Sequence, residues 1–288
     1  MTVIVADGGY RVGLGHWMRC AALSEHLPNP VLYAPVDHPC LKSLPLEVRI
    51  GWREFPADDL AIVDTYHKRQ VIVNNLAAKC KHICTIVDGS YTSFQVDSLV
   101  SPHVGTETLA YHIPGKVLAG AKYALIRPTL KRRLRTGPAR RLLVCLGTGA
   151  LVQMPELAYA VRSAIIGKSI ELYIYGGVGK LPQFGFHHRC KPGYYAQMPE
   201  VMYGVDMAIT PASMTMLELM CCGVPCLTYA TNDHQRTLQQ LAGLPVYNSV
   251  SDIIALLNDD KRRLALSQWE LDTVDGKGCN RAAGMLNL

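Results

Sequence analysis

Residues 3–23, VIVADGGYRVGLGHWMRCAAL, take the chain from an apolar run through a glycine-rich segment into a helical pattern. The run VIVAD at 3–7 has the apolar, β-branched content of a buried strand. Cys20, Leu23 and Leu27 then recur at helical spacing, so the glycines between the two patterns lie on a strand-to-helix turn. A strand that leads directly into a helix begins a βα unit and predicts an α/β fold.

The same alternation of short apolar runs with helical patterns continues along both halves of the chain. It is typical of parallel sheets covered by helices on both faces. The further predicted strands are PVLYA (30–34), LAIVD (60–64) and ICTIVD (83–88) in the first half, and RLLVCLG (141–147), SIELYIY (169–175), VDMAIT (205–210) and VPCLTY (224–229) in the second. Asp7, Asp64 and Asp88 each end a strand, so acidic residues gather at the carboxyl edge, where open α/β folds bind ligands.

A basic stretch, KRRLRTGPARR at 131–141, separates the two series of strands. A chain of 288 residues is long enough for two cores. We predict an N-terminal Rossmann-like domain at 1–135 that carries the catalytic loop and a nucleotide-binding Rossmann-like domain at 136–262. Helices at 263–288 are expected to pack across both. The basic stretch is interpreted as a linker rather than a nucleic-acid patch, because no aromatic residues are interleaved for base stacking.

Composition excludes several classes of protein. The 49% hydrophobic and 18% charged content is that of a globular chain, not of a disordered one. The N-terminus enters a strand without the features of a signal peptide, and no apolar run reaches the ~20 residues of a membrane span, so we expect a soluble, cytoplasmic protein. The ten cysteines are expected to be free thiols.

The net charge of +6 favours an anionic partner such as a diphosphate. Metal binding is not expected. Cys80, His82 and Cys84 alternate as a ligand set would on a strand, but a fourth ligand is not evident. His187, His188 and Cys190 are likewise not expected to bind a metal ion.

The glycine loop predicts a catalytic base. Gly13 and Gly15 allow backbone N–H groups to approach a ligand, and the helix start favours negative charge. His16 stands at that start, where the helix dipole disfavours its protonated form and leaves an imidazole able to accept a proton. The alternative is a histidine that only caps the first turn. Met18 replaces the third glycine of a dinucleotide-binding fingerprint, and no Gly-Lys-Ser/Thr of a P-loop is present.

The segment PASMTMLELMCCGVP at 211–225 predicts a short helix that starts at the carboxyl edge of the second sheet. Ser213 can cap it, and the amides near Ser213–Thr215 can hold a diphosphate. Glu218 can accept two hydrogen bonds from a ribose diol, although spacing alone favours a solvated helix glutamate. The glycine turn LGTGA at 146–150 and the polar residues 233–235 are expected to face the same cleft.

Taken together, VGLGHWMRC, VDTY at 63–66, IVDGS at 86–90, LAGAKYALIRP at 118–128, LGTG, the Glu218 helix and DGKGCNR at 275–281 resemble one family along nearly the whole chain. That family is the UDP-sugar hydrolases of the pseudaminic acid pathway. The resemblance implies the GT-B type of α/β fold, with a nucleotide-sugar cleft between two Rossmann-like domains. It also implies an inverting, metal-independent hydrolysis of UDP-2,4-diacetamido-2,4,6-trideoxy-β-L-altropyranose, with no cofactor.

By this resemblance His16 and Tyr66 are the catalytic residues. Ser213 and its neighbours would bind the diphosphate, Glu218 the ribose, and Gln235 the region of the sugar phosphate. The residues expected to bind substrate are Asp7, Gly13, Gly15, Arg19, Gly147, Thr148, Met198, Ala212, Ser213, Met214, Thr215, Glu218, His234 and Gln235. The family usually has Gly-Gly or Ser-Gly at 212–213 and Asn at 234, which leaves the identity of the sugar open.

Three functions stay in competition. The first is the hydrolase, and the second is a glycosyltransferase in which His16 deprotonates an acceptor hydroxyl on a sugar, a lipid or modified DNA. The third is a binding module without catalysis, which predicts UDP binding without turnover. The substrate partner is a UDP-sugar, nucleic acid enters only as an acceptor, and a monomer is the working expectation for an oligomeric state that the sequence leaves open.

Overall fold

The computed structural model describes residues 1–9, 12–52, 54–89, 95–147, 153–175 and 194–286. The chain divides into two compact units. Unit 1 comprises Met1–Pro128 together with Gly276–Leu288, and unit 2 comprises Thr129–Asp275. The division at 128/129 precedes the predicted boundary at 135/136, and the last predicted segment is split between the units at 275/276.

Seven strands form the sheet of unit 1: β1 (Thr2–Ala6), β2 (Pro30–Ala34), β3 (Glu47–Ile50), β4 (Asp58–Asp64), β5 (Cys80–Ile86), β6 (Ser98–Ser101) and β7 (Lys116–Ala119). All pairs are parallel, in the order β3-β2-β1-β4-β5-β6-β7. The order changes direction between β1 and β4, where Ala6 pairs with Asp64. A switch point of this kind opens a crevice at the carboxyl ends of the strands, which is where α/β proteins bind ligands.

Two helices follow strands of this sheet. Helix α1 (Gly15–Ser24) follows β1 and is buried at every position from His16 to Ser24. Helix α2 (Arg69–Ala77) follows β4 and packs on β4 and β5 through Ile72, Val73 and Leu76. The first turn of α1 therefore lies at the switch point between β1 and β4.

Unit 2 has a four-stranded parallel sheet in its described part: β8 (Arg141–Cys145), β9 (Glu171–Tyr175), β10 (Met207–Thr210) and β11 (Cys226–Thr228), in the order β11-β10-β8-β9. Its described helices are α3 (Gln153–Ile165), α4 (Tyr194–Gly204), α5 (Met214–Cys221), α6 (Asp233–Ala242), α7 (Val250–Asn258) and α8 (Asp260–Thr273). The strand order changes direction between β8 and β10. Helix α5 begins shortly after the carboxyl end of β10.

Both faces of the unit 2 sheet are apolar, which explains why its strands are continuous apolar runs. Along β8, Leu142 and Val144 join a cluster that includes Ile253 of α7, whereas Leu143 joins the opposite cluster with Met202 of α4. Successive side chains of a strand point to opposite faces, so helices cover both sides.

The C-terminal helix, α9 (Gly278–Leu286), belongs to unit 1 and contacts α1 and the turn at 121–123. A Cβ atom on Gly278 would lie 2.2 Å from the carbonyl oxygen of Ala124 and 2.5 Å from its nitrogen. The start of α9 therefore approaches the backbone at 123–124 more closely than any side chain allows.

The predicted α/β class is confirmed, and every predicted strand is present. Sequence patterns missed β3, β6 and β7. Strands β3 and β7 are the two edges of their sheet and are largely exposed, so they lack a continuous apolar run. Strand β6 is buried but short and begins and ends with serine. Within the described ranges, no helix is both long enough and apolar enough to cross a membrane.

Candidate functional site

The turn between β1 and α1 is held in shape by glycines and one tryptophan. The N–H groups of Gly9 and Gly13 each donate to the other's carbonyl, at 3.0 and 2.8 Å. Both residues have left-handed φ angles, +119° and +93°. Trp17 Nε1 donates to the Ala6 carbonyl at 3.1 Å, and a Cβ on Gly8 would lie 2.2 Å from the indole. The Gly13 amide is thus part of the turn, so the expectation that it reaches a ligand is not met.

His16 lies in the first turn of α1, which begins at Gly15. Its Nδ1 lies 2.6 Å from Oδ1 of Asp64, the last residue of β4. A carboxylate can only accept, so Nδ1 carries the proton and Nε2 is the basic nitrogen of the ring. No side chain caps the start of α1, so the interpretation of His16 as a helix cap is wrong.

Arg19, one turn further along α1, binds the same carboxylate through two donors. Its Nε donates to Oδ2 of Asp64 at 2.6 Å and its Nη2 to Oδ1 at 2.5 Å. Nη2 also lies 3.1 Å from Nδ1 of His16, but two donors cannot bond each other. Burial alone would raise the pKa of Asp64, yet Arg19 and His16 outweigh it and hold that pKa well below its usual range. Asp64 is therefore ionised at neutral pH.

Asp88, two residues after β5, is the second carboxylate of the cluster. It accepts a hydrogen bond from Nη1 of Arg19 and another from Oη of Tyr66 at 2.5 Å, and Nε2 of His103 lies 3.3 Å away. Although burial opposes its charge, Arg19 and His103 lower the pKa of Asp88 well below the usual range. Arg19 was expected to bind substrate, but its guanidinium is buried and joins these two carboxylates instead.

The two predicted catalytic residues are in contact. The rings of His16 and Tyr66 meet edge to face, with centroids 4.6 Å apart and planes at 87°. Although its ring is partly exposed, the Tyr66 hydroxyl is shielded from water; this desolvation and the charge of Asp88 raise the pKa of Tyr66, so the phenol stays protonated and donates. Tyr66 is 48% exposed and His16 only 4%. Tyr66 is therefore not a core tyrosine.

Asp7 shapes the loop after β4. Its Oδ2 accepts hydrogen bonds from Oγ1 of Thr65 at 2.5 Å and from the backbone N–H groups of Tyr66 at 2.8 Å and His67 at 3.1 Å. Asp7 is itself buried. Asp7 was expected to bind substrate; in the structure, three donors of this chain bond its Oδ2 and hold the loop at Tyr66.

In unit 2, the start of α5 is the strongest candidate for an anion site. Ser213 is the N-cap residue, with an extended backbone and no side-chain capping bond. The first N–H groups of a helix have no partner within it and favour negative charge. Ser213 and Thr215 are half-buried, whereas Ala212 and Met214 are buried. Only the two hydroxyl residues of this predicted set therefore present side chains toward solvent.

Glu218 is 6% exposed, so it is not the solvated helix glutamate that spacing favoured. Met198, also predicted to bind substrate, is fully buried in the same hydrophobic cluster as Met202 and Cys222, which makes it a core residue. Gly147 follows β8 with a left-handed φ of +78°, and Thr148 lies outside the described residues.

Gln235 and His234 lie in the first turn of α6. The side chain of the N-cap residue, Asn232, accepts a hydrogen bond from the Gln235 N–H at 2.9 Å. Oε1 of Gln235 accepts from N and Oγ1 of Thr231 at 2.8 and 2.7 Å. These bonds fix the orientation of the amide, whose Oε1 accepts and whose NH₂ group can only donate. His234 is half-buried.

The roles of Asp64, Asp88 and His103 were missed by sequence reasoning. The sequence did point to the two aspartates, because each ends a predicted strand at the carboxyl edge of the sheet. His103 had none, since it follows β6, a strand that the pattern did not predict. What the sequence could not provide was their convergence on Arg19.

The described residues contain no group of three or more His, Cys, Asp or Glu side chains that could hold a metal ion. On β5, the His82 ring bonds Oγ of Ser98 at 2.9 Å. His187, His188 and Cys190 lie outside the described residues. The nine cysteines within them are all free thiols.

Comparison with known proteins identifies the fold. No family model matches the chain, and no curated protein matches it in sequence. Among solved structures, spinosyn forosaminyltransferase SpnP aligns over 100% of this chain and 99% of its own, with 13% identity and a TM-score of 0.64. S. aureus MnaA in its structure with UDP aligns over 98% and 94%, with 11% identity and a TM-score of 0.62.

A putative UDP-N-acetylglucosamine 2-epimerase from Listeria monocytogenes aligns over 98% of this chain and 94% of its own, with 15% identity and a TM-score of 0.61. Similarity at these identities is a similarity of fold. It confirms the predicted α/β fold of the GT-B type.

Proposed function

We propose that this chain is a nucleotide-sugar hydrolase that releases UDP when water attacks the anomeric carbon with inversion. The observation that carries the proposal is the hydrogen bond between His16 and the ionised Asp64 at a sheet switch point. The fold is shared with a protein named as a sugar-transferring enzyme and with one solved in complex with UDP, which supports a UDP-sugar as the substrate class.

In the proposed reaction, His16 acts as general base. Nε2 takes a proton from water while the water oxygen bonds to the anomeric carbon, and the bond from that carbon to the diphosphate oxygen breaks, so UDP leaves with the electron pair. Asp64 holds the ring through Nδ1–H and stabilises the imidazolium that forms. Because two donors of Arg19 bind Asp64, the carboxylate stays fixed and charged.

Tyr66 is proposed to act at the reacting end of the substrate. Asp88 holds its phenol and Asp7 holds its backbone N–H, so its ring is fixed against His16. A ring held in this way can confine the water between the base and the sugar.

Unit 2 is proposed to bind UDP. The amides at the start of α5 and the Ser213 hydroxyl would hold the diphosphate and stabilise the charge that grows on it as it leaves. Glu218 would accept from the ribose hydroxyls, and the NH₂ group of Gln235 would donate near the sugar phosphate. These assignments follow the family resemblance and fit the half-buried or buried positions of the three side chains.

The proposed substrate is a UDP-linked acetamido deoxy sugar. The resemblance favours UDP-2,4-diacetamido-2,4,6-trideoxy-β-L-altropyranose and a place in pseudaminic acid synthesis. His234 stands where that family has Asn, close to the proposed sugar position. A different pattern of acetamido or hydroxyl groups is therefore the first variation to examine.

The second candidate function is glycosyl transfer, which is favoured by the fold shared with SpnP and other glycosyltransferases. The same Nε2 would then deprotonate an acceptor hydroxyl instead of water, with inversion as before. The two functions differ only in the nucleophile.

The deciding experiment measures UDP release from a panel of UDP-sugars that includes the diacetamido-trideoxy altrose. Release is followed in buffer alone and with candidate sugar, lipid and DNA acceptors, and the sugar product is identified by NMR. Fast release in buffer with an inverted free sugar supports the hydrolase. Release only with an acceptor supports the transferase, and UDP binding without release under any condition leaves a binding module.

A further inference from the structure

A cavity of about 220 Å³ opens at the amino edge of the unit 2 sheet. It is lined by residues 133–137, Asp206 and Arg263. Asp206 directly precedes β10, whereas α5 follows the carboxyl end of that strand, so the cavity lies at the opposite edge of the sheet from the proposed nucleotide site. Since a water molecule occupies about 30 Å³, there is room for a phosphate-sized anion and several waters.

Three guanidinium groups and one carboxylate line this cavity. Arg263 is fully engaged, because it donates to the carbonyls of Leu256 at 2.7 Å and Gly137 at 2.9 Å and pairs with Asp260. The Asp206 carboxylate already accepts from two backbone N–H groups, those of residues 140 and 141. The other two arginines face the single carboxylate of Asp206, so one of their two positive charges has no counter-charge in the lining.

Arg135 is the buried cation of the cavity, 5% exposed. Its Nη1 and Nη2 donate to the carbonyls of Tyr203 and Met202, at 2.8 and 3.0 Å, near the end of α4. Its Nε has no hydrogen-bond partner among the described residues. Burial, followed by the neighbouring charge of Arg133, lowers the pKa of Arg135 to about 10. An anion bound nearby would offset both effects.

Arg133 is the exposed cation of the cavity, with a side chain 44% exposed and a carboxylate oxygen of Asp206 3.7 Å away. Arg133, Arg135 and Lys131 also gather around one aromatic ring, that of Tyr203, at 5.2, 5.8 and 5.6 Å from its centroid. Like charges placed this close repel each other, and a bound anion removes the repulsion.

We propose that this cavity binds a small phosphate-bearing ligand, held by the paired N–H donors (the fork) of the Arg133 guanidinium group and by the buried charge of Arg135. Guanidinium groups match the oxygens of a phosphate with paired donors. A small ligand fits better than a polynucleotide, because the cavity lining contains no aromatic side chain and Tyr203 is already surrounded by cations. The site is independent of the proposed hydrolysis.

Calorimetric titration of the full chain with inorganic phosphate, at constant ionic strength maintained with chloride, tests the proposal. We expect Arg133→Gln to weaken phosphate binding about tenfold, the loss of one charge-assisted contact. Arg262→Gln is the matched control, since Arg262 is exposed and adjacent to Arg263 but does not line the cavity. It should bind phosphate as the unchanged chain does.

Arg133→Lys keeps the charge but loses the paired donors, so we expect a smaller loss of phosphate affinity than in Arg133→Gln. This variant also provides the test if Arg133→Gln folds poorly. Phosphate held at the start of α5 would be insensitive to both substitutions. The proposal is overturned if the unchanged chain binds no phosphate, or if Arg133→Gln binds it equally well. It is also overturned if a single-stranded 12-mer DNA binds more tightly than phosphate at the same ionic strength and loses that binding in Arg133→Gln.

Discussion

His16 owes its proposed chemistry to a neighbour 48 positions away in sequence. At the start of a helix, the dipole disfavours a positive charge on the ring. Asp64 adds a negative charge 2.6 Å from Nδ1 and fixes which nitrogen carries the proton. The helix start places the ring at the switch point of the sheet, and the carboxylate orients it. A general base needs both features.

At this scale we predict that His16→Ala lowers kcat by about 10²–10⁴-fold, the usual contribution of a positioned general base, and leaves the affinity for UDP nearly unchanged. UDP release from the best substrate of the panel gives kcat, and calorimetry gives the affinity. His26→Ala is the control, because His26 is exposed just after α1. A His16→Ala enzyme that keeps most of its activity would remove His16 from the base role.

Among the helices, α5 concentrates the proposed nucleotide contacts in a single element. Its start lies at the carboxyl edge of the sheet, and Glu218 lies about one turn further on, in a buried position. We propose that its carboxylate accepts hydrogen bonds from a ribose diol there.

We predict that Glu218→Ala weakens UDP binding by about 1–3 kcal/mol, the range for losing hydrogen bonds to a charged group. Calorimetric titration with UDP measures the change, with the exposed Glu200 of α4 substituted in the same way as a control. Glu218→Gln preserves the side-chain volume and separates a lost contact from a disturbed core. Unchanged UDP affinity in both Glu218 variants would place this residue outside the site.

Helix α9 provides a test of close packing within one element. We expect Gly278→Ala to reduce the free energy of unfolding by about 1–3 kcal/mol, because the added Cβ meets backbone atoms of residues 123 and 124 that cannot yield. Gly284→Ala lies on the same helix with no atom within 4 Å of the added Cβ. It should be neutral or stabilising by about 0.4–1 kcal/mol.

Urea unfolding of the two glycine variants beside the unchanged chain makes this comparison. Equal stabilities for the two variants would show that α9 is not held closely against residues 123–124.

For the whole molecule, we predict loss of stability in acid. The pKa values of Asp64 and Asp88 are lower in the folded than in the unfolded chain, so on acidification the unfolded chain binds protons first. The stabilisation is complete above the unfolded pKa of about 4 and is lost as the pH falls toward the folded values. Urea unfolding at pH 7, 5, 4 and 3 should show the free energy of unfolding decline below about pH 4.

Asp64→Asn identifies the source of this decline. The substitution breaks a buried ion pair, so we expect the free energy of unfolding to fall by about 3–5 kcal/mol at pH 7. Below the pKa of a free aspartate, the free energy of unfolding of this variant should depend less steeply on pH. Asp59→Asn, at an exposed pair with Lys81, should change little. If Asp64→Asn and the unchanged chain decline in parallel, Asp64 is not a source of the acid sensitivity.

Local patterns in the sequence were sufficient for the α/β class, for eight strands, and for the positions of His16 and Ser213 at helix starts. Each of these depends on residues within about one turn or one strand of each other, where apolar spacing and glycine placement act directly. Strands β3, β6 and β7 were not predicted. Strands β3 and β7 are exposed edges and β6 is short, so none of the three has a long apolar run in its sequence.

Only the tertiary structure decided which polar residues meet. The parallel register pairs Ala6 with Asp64 and brings Asp64 beside His16, and Asp88 reaches Arg19 across 69 positions. The same structure assigned Asp7 to the loop at 65–67 and Met198 to the core, although both had been predicted to bind substrate. Contacts between distant residues depend on strand order and register, which result from packing of the whole sheet and leave no periodic signal in the sequence.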